Sequence, residues 1–252
     1  EVPIAVTAFT EAQIESAGIQ RPGDFISLMP NVTMVDSANV GDTQVSIRGI
    51  VSTRDAESTF AYVVDGVLVT NPNGFNEELM DVSQIEVLKG PQGALYGRNA
   101  VAGAILVTTN RPEEEFEGKF RVGAGNNGSK NASMTLSGGL DNGMLGRLSV
   151  SHRETDGHYS NVYTGENSVD FLDDTTVRGR LIWDVNEDLS LDMRAGMSDV
   201  SGGAINFNAV FAIPMFAEGF GLGPTFFADV NEHEFIFSNN VPGENEQETA
   251  EF

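Results

Sequence analysis

From residue 117 onward the chain alternates apolar and polar side chains with a period of two, and it does so five times. Phe120, Val122 and Ala124 alternate with Lys119, Arg121 and Gly123. Ala132, Met134 and Leu136 alternate with Ser133, Thr135 and Ser137, and Gly146, Leu148 and Val150 with Arg147, Ser149 and Ser151. Val177, Gly179, Leu181 and Trp183 flank Arg178 and Arg180; Leu189, Leu191, Met193, Ala195 and Met197 alternate with Ser190, Asp192, Arg194 and Ser198. A period of two puts successive side chains on opposite faces of an extended strand, so each segment has one apolar and one polar face. Two surroundings accept such a sheet. A soluble sandwich buries the apolar face in its core; a transmembrane barrel turns that face to lipid and its polar face to an aqueous lumen. The turns at residues 141–143 and 186–188 are short and fall on one side, whereas the long links after residues 154 and 200 fall on the other. Barrels of the outer membrane show that asymmetry, and a sandwich is compatible with it too.

Before residue 112 the pattern is mixed. Residues 10–17 (TEAQIESA) read as a helix, with Thr10 as N-cap, Gln13 at the third helical position as in a capping box, and Gly18 as the stop. Residues 22–29 read as a second short helix that starts on Pro22 and ends at Pro30. Short strands are expected at 44–47, 85–88 and 104–108. Residues 60–69 (FAYVVDGVLV) are two apolar runs around Asp65-Gly66, a tight-turn signal. The expected fold class is therefore an α+β domain over residues 1–112, followed over 113–252 by antiparallel strands, about five in number, and a long terminal link.

Charge and composition narrow the function. Against 37 Asp+Glu stand 14 Lys+Arg, a net charge of −23. Nucleic acid needs a basic footprint and is excluded as a partner. Without cysteine there is no disulfide, thiolate chemistry or Cys-based zinc site. No apolar run reaches the roughly 18–20 residues of a membrane helix. The three histidines, at 152, 158 and 233, are scattered, and His152 and His158 near Glu154 and Asp156 read as solvated loop-entrance residues rather than a metal site. The run Phe207, Phe211, Phe216, Phe220, Phe226 and Phe227 reads as loop packing. No Ser/His/Asp order or paired-carboxylate arrangement stands out, so no enzyme is expected, and no cofactor.

The segment IEVLKGPQGALYGRNAVAGAI at 85–105 is rich in glycine and flanked by Lys89 and Arg98. It is not a phosphate loop: the lysine precedes the glycines, and G-x-x-x-x-G-K-[ST] is absent. Nor does the spacing of Gly90, Gly93 and Gly97 match a dinucleotide fingerprint. Its residues Ile85, Glu86, Val87, Leu88, Lys89, Gly90, Pro91, Leu95, Tyr96, Gly97, Ala100, Gly103 and Ile105 closely resemble the end of the plug domain of TonB-dependent outer-membrane receptors. Three further blocks come in the family's order. FISLMPNV at 25–32 is similar to the plug's "DLL…PGV" block, with Asn31 in place of the usual glycine. VSIRGI at 45–50, with Arg48 and Gly49, is similar to the "IRG" block. YVVDGVLV at 62–69, with Asp65 and Gly66, is similar to the "DGV" hairpin.

That resemblance implies a plug seated in an outer-membrane barrel of about 22 strands, taking up a scarce nutrient of which a ferric siderophore is the commonest kind. Its implied partners are the TonB–ExbB–ExbD complex, the outer-membrane lipid and the nutrient itself. The glycines would serve tight bends and close packing, and Arg48, Glu86, Lys89 and Arg98 are candidates for plug-to-wall ion pairs. The box that recruits TonB has no counterpart in this sequence. Five strands cannot close such a barrel, so the sequence leads us to expect an N-terminal piece of a longer receptor. The alternative is a stand-alone soluble binding module, a plug-like domain joined to a β-sandwich.

Overall fold

The computed structural model describes residues 5–36, 43–52, 57–70, 72–97, 99–161, 165, 169–203, 221, 236–237 and 244–251. The first domain runs β1 (Ala5–Thr10), α1 (Glu11–Ala17), α2 (Pro22–Ser27), β2 (Val32–Asp36), β3 (Thr43–Ile47), β4 (Ile50–Val51), β5 (Phe60–Val64), β6 (Val67–Val69), β7 (Val82–Lys89), α3 (Gly93–Tyr96) and β8 (Gly103–Thr109). Five of its strands form one sheet in the order β1-β7-β8-β5-β6, and β2-β3-β4 form a smaller one. The β5–β8 pair is parallel, and β7 lies antiparallel to both β1 and β8.

Local signals account for many of these elements. The backbone N–H of Thr10 donates to Gln13 Oε1 at 2.9 Å, closing the N-terminus of α1, and Gly18 ends it with φ +66°. Asp65 and Gly66 both take positive φ, +49° and +87°, as a two-residue hairpin turn of this hand requires. The core is apolar and continuous: Phe25, Ile47, Ile85, Ile105, Val45 and Val87 are all fully buried. Phe75 meets the rings of Phe60 and Tyr62 edge-on, at 5.0 Å each.

The second part is a six-stranded antiparallel sheet: β9 (Glu117–Ala124), β10 (Lys130–Gly139), β11 (Met144–Thr155), β13 (Leu172–Asn186), β14 (Leu189–Gly203) and β16 (Glu244–Glu251). Between them, β12 (Ser160–Asn161) and β15 (Ile236–Phe237) pair with each other. The sequence suggests five strands; β16 is the sixth. It lies in the acidic run GENEQETAEF, where Gln247 and Thr249 are half-buried and Glu246, Glu248 and Ala250 exposed. Its alternation is written almost wholly in polar residues, so a hydrophobic pattern does not reveal it. Among the described residues the edge strands are β9 and β16, and the sheet is not closed.

The two faces of this sheet decide between the two environments. Ser137, Arg147, Ser149, Ser151, Asp174, Thr176 and Ser198 are buried, while Phe120, Val122, Leu148, Met193 and Met197 are exposed. The polar face packs on the first domain and the apolar face looks outward, the reverse of a sandwich core. That overturns the soluble-sandwich alternative. Outward rows run across the strands, from Met144–Trp183–Leu191 up to Met134–Val150–Val177–Met197. The six residue steps from Val177 to Trp183 of β13 span roughly 20 Å of strand, close to the roughly 25 Å apolar band of an outer-membrane barrel. Directly above it the outward rows become Ala132–His152–Thr175–Asp199 and Lys130–Glu154–Asp173.

Candidate functional site: the plug–wall interface

The first domain meets the inner face of the sheet through charge. Helix α1 presents Glu11 and Glu15; the ammonium of Lys119 reaches Glu11 at 2.7 Å and Arg121 pairs with Glu15. The hydrogen bond from Lys119 holds the Glu11 carboxyl below the usual carboxylate range. Deeper in, Asp81 adopts φ +54° and receives Arg147 through two guanidinium nitrogens, with Nη2 at 2.6 Å from Oδ1. Both side chains are nearly withdrawn from solvent, at 5% and 9% exposure. Arg178 Nη2 donates to Glu77 at 3.2 Å.

The Asp65 turn forms the next contact. Arg194 Nη1 donates to the Asp65 carbonyl at 2.9 Å, and the Asp65 carboxylate accepts from Thr109 N and Oγ1 at 2.8 and 2.6 Å. Arg180 Nη1 lies 4.0 Å from Asp65 Oδ2. One pair reverses the polarity: Arg21, at the start of α2, reaches the fully buried Asp174 of β13. Burial pushes the Arg21 guanidinium below its ordinary value, with Asp174 opposing. Beside it, burial and the Asp174 charge both push the Glu78 carboxyl up.

The residues singled out in the sequence do not gather in one place. Arg48, Gly49, Lys89 and Gly90 gather at one end of the first domain. Arg48 N donates to Asn31 O at 2.8 Å, Lys89 Nζ donates to Pro30 O at 2.8 Å, and a Cβ on Gly90 would stand 3.3 Å from Arg48 Nη1. Gly103 lies against β7, where a Cβ would come within 2.2 Å of Leu88 O, so only glycine fits. Asp65 and Gly66 are at the wall. Tyr96 packs on the small cluster of Ala61, Val63, Ala100 and Ala104. Glu86 is half-buried on β7, Pro91 is exposed, and Gly97 takes φ +83°. Arg98 lies outside the described residues, as do His233 and the run of phenylalanines from Phe207 to Phe227.

Among the described residues, the ion pairs of the first domain with the wall come from Glu11, Glu15, Arg21, Asp65, Glu77 and Asp81. Of these only Asp65 is among the residues singled out by sequence. A weak signal existed for the others, because the inward positions of the alternating strands carry so many cations. His152, Glu154 and Asp173 bring ligand-type atoms within 4.8 Å of one another on the outward rim, where His152 Nδ1 sits 2.9 Å from Thr175 Oγ1.

Comparison with known proteins agrees with this architecture. Residues 1–104 match the family model described as the TonB-dependent receptor plug domain. The chain is 28% identical over 168 residues to the pesticin receptor of Yersinia pestis, covering 66% of this chain and 25% of that protein. It is 28% identical over 197 residues to the ferrioxamine receptor of Yersinia enterocolitica, covering 76% and 25%. With the vitamin B12 transporter BtuB of Vibrio vulnificus it shares 30% identity over 162 residues, covering 62% and 26%. The chain thus spans about a quarter of the length of these relatives. Among solved structures, the ferric yersiniabactin uptake receptor FyuA from Yersinia pestis superposes with a TM-score of 0.73 at 24% identity, over 79% of this chain and 32% of that one. The ferripyoverdine receptor of the outer membrane of Pseudomonas aeruginosa gives 0.72 at 20% identity, over 99% and 31%. A plug fold, an antiparallel sheet with its apolar face outward, and these likenesses agree: residues 1–104 match the plug domain of TonB-dependent receptors, and the chain is similar to proteins of that kind beyond it.

Proposed function

We propose that residues 1–112 are the plug, and residues 113–252 the leading wall strands, of an outer-membrane receptor that takes up a scarce, bulky nutrient. The TonB–ExbB–ExbD complex would supply the drive, and the surrounding lipid would cover the apolar band. The observation that carries this reading is the inverted sheet: its polar face grips a separate domain through ion pairs while its apolar face points away. Such a contact holds the plug in place and is made of groups that water can solvate once they part, so it can open without exposing an apolar core. The cargo class we propose is a ferric siderophore, supported by relatives named for ferrioxamine and ferric yersiniabactin. On this reading the protein is a transporter and not an enzyme. Arg48, Glu86, Lys89 and Arg98, with the glycines of 90–103 that let their loop fold tightly, are proposed to face wall strands beyond this chain.

The test is uptake by the full-length receptor in cells stripped of their own siderophore receptors. Labelled ferric hydroxamates, catecholates and phenolates are supplied in parallel with cobalamin, with and without TonB. Accumulation of a ferric chelate that stops when TonB is removed is the expected result. Accumulation of cobalamin alone would replace the cargo class, and uptake indifferent to TonB would overturn the proposal.

A further inference from the structure

Three arginines of the wall stand directly opposite one another. Arg147 of β11 pairs in register with Arg180 of β13, and Arg180 with Arg194 of β14. Like charges at such positions repel and weaken a sheet, so a row of three is a costly arrangement. Two carboxylates on the sheet itself offset part of it. Glu117 accepts from Arg147 at 3.1 Å, and Asp192 accepts from Arg180 at 2.7 Å and lies 3.3 Å from Arg194. Three arginines against two carboxylates leave one positive charge, and Arg178 beside the row makes two. The rest of the compensation comes from the first domain, as Asp81, Asp65 and Glu77.

Between the row and the Asp65 hairpin lies a cavity of about 360 Å³, lined by Val64, Val69 and Met80 on one side and by Arg147, Arg180 and Arg194 on the other. Arg194 Nε is buried there without a hydrogen-bond partner among the described residues. A guanidinium offers a planar fork that matches a carboxylate or a similar oxyanion. In the resting molecule Asp81 of the first domain occupies the fork of Arg147, Asp192 of the wall occupies that of Arg180, and Arg194 donates to the backbone carbonyl of Asp65 with the Asp65 carboxylate 3.6 Å away.

We propose that Arg147, Arg180 and Arg194 line the route of the cargo once the plug shifts, and that the cargo meets them as an anion, its oxyanion groups replacing Asp65 and Asp81. The inference rests on the uptake reading and adds to it a charge class for the cargo. Docking alone does not require the row: a single arginine opposite each acid would hold the plug without placing like charges side by side.

The test uses the full-length receptor in planar bilayers, with urea to loosen the plug and asymmetric KCl across the membrane. The reversal potential reads the chloride-to-potassium permeability ratio. In the double variant Arg180→Gln/Arg194→Gln this ratio should fall about threefold, since a passage lined by one sign of charge concentrates the opposite ion. Arg180→Lys/Arg194→Lys keeps the charge, loses the fork, and should leave the ratio unchanged. An unchanged ratio in the glutamine variant overturns the inference. So does an equal fall in both variants, because the readout would then follow the fold rather than the charge, and so does a cargo that proves neutral or cationic at the pH of uptake. Failure of urea to open any conductance in the wild-type receptor would sink the uptake reading itself and the inference with it.

Discussion

The two regions of this molecule obey the same patterning rules with opposite outcomes. In the plug, apolar side chains such as Phe25, Ile85 and Ile105 turn inward and are fully buried, as the hydrophobic effect demands of a domain in water. In the sheet, Leu148, Met193 and Met197 turn outward, and it is Arg147, Asp174 and Thr176 that are buried. Burial in the plug is stabilised by area removed from water. Burial at the wall is stabilised by matching charges and hydrogen bonds that offset desolvation. The difference teaches that "inside" is not a fixed environment: one side of the same sheet can carry its apolar groups outward while the other is built for a folded partner.

The sharpest way to break the contrast is at the Asp81–Arg147 pair. Asp81→Ala leaves a guanidinium that is 5% exposed with Glu117 as its remaining ion-pair partner among the described residues, and we expect a loss of about 3 kcal/mol. Urea unfolding of the full-length receptor measures it. The double variant Asp81→Ala/Arg147→Ala should lose less than the two single changes added together; strict additivity would mean that the pair is not coupled.

A second substitution probes the outward face. Leu148→Arg places a charge within the apolar band and should cost about 2 kcal/mol of refolding stability in lipid vesicles. The contrasting change Met134→Leu on the same face should be nearly silent, because lipid does not demand close shape matching. Equal stability of Leu148→Arg and wild type would remove the lipid from the account.

The smallest effect is expected at Glu78, where pH sharpens the comparison. Burial first, and then Asp174, raises its carboxyl pKa above the ordinary value of 4.5. The docked state therefore binds a proton more readily than the undocked one. Docking should weaken as pH rises from near 4.5 through the docked value, and stay level below that window. Glu78→Gln should flatten this part of the stability-against-pH curve. An unaltered slope in the variant would place the titration on another group.

Much of the fold was legible in the sequence because local rules and tertiary demands agree. Thr10, Gln13 and Gly18 delimit α1, Asp65-Gly66 makes the hairpin, and the period-two segments become β9, β10, β11, β13 and β14. Strands β1 and β2 went unread, since β1 is short with mixed exposure and β2 sits between Pro30 and residues that lack periodicity. Strand β16 escaped because its alternation is polar on both faces. The wall-contacting acids Glu11, Glu15, Glu77 and Asp81 were not singled out, because an acidic residue on a helix or loop looks the same in sequence whether it meets water or an arginine.

What the sequence determined by itself was each strand's two-faced character and the punctuation of the plug. Each depends on a residue and its near neighbours. What only the tertiary structure decided was which face of the sheet is the inside, and which arginine meets which acid. Alternation specifies two faces without saying what covers them; that is settled when Asp65, Asp81 and Glu77 arrive from a separate domain and make the polar face the buried one.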